Sequence, residues 1–302
     1  MKVSLLLRNV PFELERALCS RLNKALGLRP SSAPFLSGDT YRAMADAVFD
    51  ETGEFDPTRV KPGSVVFVGV RRLREFETRA LPALKSPVVL ISHQGDVTVD
   101  ASSLGLAEDP RILHWFAQNC VVDHPKITPL PIGLEDRWRH NNGEISDFKK
   151  LRRNVPSRPR IAYAFSLHTN LEKRIECYRR LKASDLADEL EQPLNSSLYR
   201  RAAREYMFIA SPPGNGPDCH RTWEAMYMNC VPIVEDCSMN RHFKEQGFPL
   251  LIVGDWDELR RWDETSLARA YVECRGGKAC EKLYSGYWNE LFRLRARSGD
   301  EA

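Results

Sequence analysis

The 302-residue sequence has no Cys-x-x-Cys pair, no long apolar run and almost no excess of either charge. Each absence closes off a class of function. Its cysteines (Cys19, Cys120, Cys177, Cys219, Cys230, Cys237, Cys274 and Cys280) lack metal-ligand spacing, and a chain this long needs no disulfide framework. Reduced thiols in a cytoplasmic protein are the expectation. Met1–Leu7 is apolar but ends at Arg8 and Asn9, too short for a signal-peptide core. No later run approaches the ~18 apolar residues of a membrane span, so any work at a membrane is expected to be peripheral. The net charge of +3 is spread along the whole chain, which leaves no electrostatic footprint for a long nucleic acid. Arg71-Arg72, Lys149-Lys150-Leu151-Arg152-Arg153 and Arg200-Arg201 read as solvated faces, with a phosphate or an acidic membrane surface as the alternative.

What is present is a globular composition, 42% hydrophobic and 28% charged, long enough for two domains. Lys2–Leu7, Val65–Val70 and Val88–Ser92 read as buried parallel strands, short and bounded by Pro and Gly. Pro11–Leu26 and Tyr41–Phe49 read as helical, and Arg71–Leu84 as a crossover helix. Ile112–Asn119 and Ile127–Gly133 continue the alternation. Trp138–Ser157 is polar and basic, and places a domain boundary near residue 150. Ile161–Ser166 restarts the sheet pattern, followed by a helix over Leu171–Leu190 and strands at Tyr206–Ser211, Val231–Glu235 and Leu250–Val253. This alternation predicts an α/β protein of mostly parallel sheets, with residues 1–150 and 151–302 as two Rossmann-like halves. The final stretch to Arg297 reads as a helix free to cross back over the hinge.

One segment carries most of the chemistry. From Tyr206 to Glu235 the chain reads as strand, Pro/Gly loop, helix and strand. Pro212-Pro213 end the first strand, and Gly214 and Gly216 leave no side chain between backbone and ligand. Asp218 is the expected N-cap of the helix. Trp223, Met226 and Cys230 share the face toward the sheet, while Pro217, His220, Arg221, Glu224 and Met228 fall near a second face. Free N–H groups and the positive end of a helix dipole favour phosphate there, and Arg221 adds a bidentate contact. Glu224, one turn in, can accept hydrogen bonds from ribose hydroxyls. The competing reading is an ordinary tight turn with His220 and Glu224 as a surface pair. Neither a P-loop nor the dinucleotide fingerprint is present.

Ser211-Pro-Pro-Gly-Asn-Gly-Pro-Asp-Cys-His-Arg-Thr-Trp-Glu-Ala-Met226, followed by Asn-Cys-Val-Pro-Ile-Val-Glu235, resembles the donor-site segment of exostosin-like glycosyltransferases. Trp115-Phe-Ala-Gln-Asn119 with Leu130-Pro-Ile-Gly-Leu134, and Leu250–Leu259, are similar to the same group. The likeness is strongest over residues 90–260. Asn229 stands where that family usually has glycine, a departure that a left-handed helix end tolerates. The resemblance implies a GT-B architecture: two Rossmann-like domains facing a central cleft, donor on the C-terminal half, acceptor on the N-terminal half. It also implies inverting transfer without bound metal or further cofactor. Gly214, Asn215, Gly216 and Arg221 would then hold the diphosphate and Glu224 the ribose, with Asp218, His220 and His168 nearby. The partners would be a nucleotide-sugar donor and a glycan, glycolipid or other hydroxyl acceptor.

Inverting transfer needs a base for the acceptor hydroxyl and a cation for the departing phosphate. Arg221 meets the second need. For the first, His93 and Asp96 follow a strand, where α/β proteins bind ligands, with Asp100 behind them. A structural turn capped by Asp96 is the alternative. Glu135, Asp136 and Arg137 follow another strand, and His168 follows a third or caps the next helix. Asp255-Trp-Asp257 has the form of a metal-binding pair of a GT-A transferase, but also of a helix start capped by Asp255. A non-catalytic sugar-nucleotide or glycan-binding module with the same fold is the remaining alternative.

Overall fold

The computed structural model describes residues 26–52, 55–139, 142–151, 154–190, 195–276 and 280–297. Lys2–Leu7 and nearly all of Pro11–Leu26 lie outside them. Among the described residues two five-stranded sheets follow one another along the chain, and every strand pair in both is parallel. The first holds β1 (Ala47–Phe49), β2 (Val65–Gly69), β3 (Val88–His93), β4 (Ile112–Ala117) and β5 (Ile127–Pro129), in the order β1-β2-β3-β4-β5. The second holds β6 (Arg158–Tyr163), β7 (Ala187–Glu189), β8 (Tyr206–Ala210), β9 (Val231–Glu235) and β10 (Leu251–Val253), in the order β10-β9-β8-β6-β7. β2 and β3 are buried at every position, as continuous apolar runs covered on both faces must be. This is the two-sheet α/β layout expected of a GT-B type protein.

Several elements depart from the sequence pattern. Tyr41–Phe49 is helical only as far as Met44; Ala45 is extended, and 47–49 pairs along β2 as an edge strand. The crossover over Arg71–Leu84 is a chain of short turns of changing pitch, which ends where Pro82 enters a 3-10 turn. The helix from Leu171 stops at Lys182; Ser184 caps a turn by accepting from Leu186 N, and the residues beyond become β7. β5 ends at Pro129, short of the expected Gly133. The polar stretch after Trp138 contains the helix Ser146–Leu151, whose Phe148 and Leu151 are buried.

The two sheets share one apolar core. Phe67, Ile91 and Phe116 of the first sheet lie in the same cluster as Trp223, Met226 and Tyr227 of the 220–227 helix. The last helix, Ser285–Arg297, returns to the first sheet, where Trp288 and Phe292 pack edge-on against Phe116. Tyr227 ties the halves together: its hydroxyl donates to Leu283 O at 2.6 Å and accepts from Leu36 N at 3.0 Å.

Candidate functional site

In the second sheet the chain leaves β6 for β7 on one side, then re-enters at β8 on β6's other side and continues to β9. The carboxyl ends of β6 and β8 therefore flank a topological switch point, where open α/β sheets form their ligand crevice. A cavity of about 520 Å³ lies there, within the range of small-molecule sites. Ala164 and Ser166 line it after β6, and Gly214–Gly216 and the start of the 220–227 helix line it after β8. The first sheet closes the other side with Asp96 after β3 and with Ile132 and Glu135 after β5.

Arg221 and Arg174 dominate the second-sheet wall. Arg174 is nearly fully buried; its Nε donates to Pro213 O at 2.8 Å and its Nη1 to Ser166 O at 2.7 Å. The two guanidinium carbons lie 5.8 Å (Arg174) and 5.6 Å (Arg221) from the centre of the same Phe165 ring. Among the described residues neither guanidinium has a carboxylate partner, and Arg221 Nη1 is buried with no hydrogen bond. Burial, and then the charge of Arg221, draws Arg174 below its ordinary value. Two cations against one aromatic ring in a partly dry wall favour an anion beside them. Arg174 was not visible as a site residue in the sequence, because a charged residue one turn into a helix looks like any solvated face.

Glu224 is already engaged. Its Oε1 accepts from Arg200 Nη2 at 2.9 Å, and Arg200 is fully buried, lying over Phe148 at 4.4 Å and donating to Asn142 O and Glu144 O. Glu224 also lines the cavity. Tyr199, on the 196–203 helix, lines the same wall with a hydroxyl that has no partner among the described residues. Arg200 and Tyr199 were missed for the same reason as Arg174: a cluster read as surface turns its residues inward here.

Other expected residues are placed differently. Asp218 is not the N-cap; Cys219 holds that position without a side-chain bond. Asp218 is buried and accepts from Ile132 N, Cys219 N and Trp223 Nε1, so it clamps the two halves together. Burial pushes its carboxyl up to about 6 against those donors. Gly216 lines the cavity and is also closely packed: a Cβ there would lie 2.5 Å from Asn119 Nδ2, so that side chain would have to shift. Gly214 is tight against Arg174 and Cys219 instead. Asn215 is exposed and donates to Asp96 Oδ2 at 3.4 Å across the mouth. Met228, expected on the cavity face, is fully buried, whereas Asn229 does take the left-handed conformation, with φ 62°.

His93 does not reach the cavity. Its ring is buried, Nδ1 accepts from Gln94 N at 2.8 Å, and Nε2 must therefore donate to Pro131 O at 3.2 Å. Both nitrogens are used, and burial lowers the imidazole to about 4, so the catalytic role expected of it has no geometry here. Asp100 caps the turn Ala101–Ser103 at the surface, and Arg137 is exposed. Asp136 is buried, accepting from Asp39 N at 2.7 Å and Gln94 Nε2 at 2.8 Å. His168 sits exposed in the turn Leu167–Thr169, outside the cavity lining. Asp255 caps the 256–261 turn in a capping box with Glu258, and Asp257 pairs with Arg180 at 3.0 Å and Arg260 at 3.2 Å. Among the described residues no cluster of His, Cys, Asp and Glu could hold a metal, and no helix is long and apolar enough to cross a membrane.

No family model and no curated protein matches the chain. Among solved structures it is similar to the spinosyn rhamnosyltransferase SpnG complexed with spinosyn aglycone, at 12% identity and a TM-score of 0.36, over 78% of this chain and 69% of that one. It is similar over the same shares, with the same identity and TM-score, to SpnG complexed with thymidine diphosphate. A likeness this distant adds no weight to the reading of the cavity.

Proposed function

We propose that the chain is a glycosyltransferase that takes a sugar from a nucleoside-diphosphate donor and passes it to a hydroxyl group of a glycan or glycolipid. The observation that carries this reading is the Arg174–Arg221 pair, two guanidinium groups with no carboxylate partner among the described residues, lining a switch-point crevice. A diphosphate supplies the two negative charges that such a wall is missing, and guanidinium forks fit its oxygens. The amino end of the 220–227 helix adds N–H groups and dipole on the same side. Glu224, held by Arg200 through Oε1, meets the ribose from the cavity lining. As the sugar–phosphate bond breaks, charge builds on the leaving diphosphate, and the two arginines offset it most strongly at that moment. The exostosin-like kinship, an inverting course without metal, a role in polysaccharide biosynthesis and a cytoplasmic setting belong to the same proposal.

Calorimetry with UDP, GDP, CDP and dTDP tests it. One of them is expected to bind the unmodified protein, and Arg221→Ala to weaken it by roughly 10- to 100-fold, the worth of a lost charge-assisted bond. Failure of all four to bind, or unchanged affinity in the variant, would sink the proposal.

A further inference from the structure

Arg174, Arg221 and Glu224 line the cavity from the second sheet, Asp96 and Glu135 from the first, and His220 lines it at the start of the 220–227 helix. His220 Nδ1 lies 2.9 Å from Gly133 O. A carbonyl only accepts, so Nδ1 carries the proton and Nε2 is left with a lone pair. Nε2 is 3.6 Å from Glu135 Oε2, and both side chains line the cavity, 35% and 19% exposed. Gly133 holds its carbonyl rigidly, because it is left-handed at φ 69° and packs against Leu36, whose O accepts from Leu134 N at 2.7 Å.

We infer that His220 is the catalytic base of this cleft, with Gly133 and Glu135 positioning it. The inference rests on the donor-binding reading above. In the step it serves, the acceptor O–H gives its proton to His220 Nε2 while the acceptor oxygen bonds to the anomeric carbon. The anomeric C–O bond breaks at the same centre, and its electron pair leaves with the nucleoside diphosphate toward Arg174 and Arg221. Glu135 stabilises the imidazolium that forms and repels the diphosphate from that wall. The other titratable groups around the ring are Asp218 and Arg221 on its own segment, Arg139, 3.8 Å from Glu135, and neutral, buried His93. Asp96 is the competing base, but it is exposed and faces the Asn215 amide.

The experiment compares His220→Ala, Glu135→Gln and Asp96→Asn in two assays. The first is affinity for the nucleoside diphosphate that the unmodified protein binds. The second is release of that diphosphate from the sugar donor across pH, with acceptor or with water as acceptor. His220→Ala is expected to keep affinity within about 3-fold, to lose about 100-fold or more in kcat, to lose the acid limb of the profile, and to regain rate with added imidazole. Glu135→Gln is expected to keep that affinity and to lower kcat by about 10-fold, since the imidazolium that forms in the step loses its carboxylate neighbour. Loss of diphosphate affinity in His220→Ala would make it a phosphate ligand and overturn the assignment. So would an acid limb that vanishes in Asp96→Asn but persists in His220→Ala, or a protein that binds the donor yet never cleaves it. If no diphosphate binds the unmodified protein, the donor-binding reading is what fails.

Discussion

The loop after β3 and the loop after β8 look alike in sequence and end up opposite in chemistry. Each follows a buried parallel strand and has a histidine and an aspartate within a few residues at that strand end or in the loop: His93, the last residue of β3, with Asp96, and Asp218 with His220. In the first, both imidazole nitrogens are consumed by backbone groups and the ring is sealed beneath Tyr41. In the second, one nitrogen is pinned by Gly133 and the other faces open space beside Glu135. The aspartates are exchanged as well: Asp96 is at the surface, and Asp218 is buried as a clamp. Position after a strand brings a residue near a ligand crevice, but unspent hydrogen-bonding capacity decides whether it can act there.

The comparison breaks most sharply on donor binding. Combined Arg174→Ala and Arg221→Ala substitution is expected to weaken the nucleoside diphosphate by at least about 100-fold, adding two charge-assisted losses. His93→Gln should leave that affinity within about 2-fold, since its ring touches no cavity. Titration calorimetry on the two proteins reads both, and a His93→Gln affinity loss comparable to the arginine pair would erase the distinction between the loops.

A smaller effect separates the loops by pH. His93 is lowered to about 4 from its ordinary 6.5, so it is neutral when folded and takes up a proton more readily when unfolded. Its contribution is complete above pH 6.5 and is lost as pH falls toward 4, by up to about 3 kcal/mol. Asp218 is raised from 3.8 to about 6, so the folded protein binds the proton more tightly, and its contribution to stability grows as pH falls from 6 to 4. Denaturant melts at pH 7 and pH 4.5 should therefore show His93→Gln costing less at the lower pH, and Asp218→Asn costing more. Costs independent of pH in both variants would mean that neither group is buried as described.

Which parts of this were legible follows from the range of the physics involved. Buried strands such as Val65–Gly69 are visible because unbroken apolar β-branched runs have few other solutions, and the Gly214–Glu224 loop-and-helix is visible from its Pro and Gly punctuation. The partners of each polar group are not, because they come from far along the chain. Asp218 meets Ile132, Glu224 meets Arg200, and Gly216 meets Asn119. A capping aspartate and a buried clamp have the same spacing to the helix that follows. Arg174 and Arg200 look like solvated charges until Phe165 and Phe148 are seen beneath them.

A third strand-end loop extends the comparison and gives its smallest effect. After β10, Asp255 and Asp257 have the spacing of a cation pair, yet Asp255 is engaged as a cap and Asp257 in two ion pairs, though Asp257 Oδ1 is buried with no hydrogen bond among the described residues. Asp255 accepts from Asp257 N at 2.8 Å while Glu258 reaches back to Asp255 N at 3.1 Å, which closes the box at the start of the 256–261 turn. Asp257 sits between Arg180 and Arg260, and a divalent ion entering there would meet two guanidinium groups. Partner accounting thus assigns this loop to stability. Asp255→Ala is expected to cost about 1 kcal/mol, the usual worth of a lost cap, and to leave nucleoside-diphosphate affinity unchanged with or without Mg²⁺ or Mn²⁺. A thermal melt and calorimetry in the presence of chelator check both. If the substitution instead removed a metal-dependent part of the affinity, the loop would belong with the arginine wall, and unspent capacity would be a poor guide to where this protein acts.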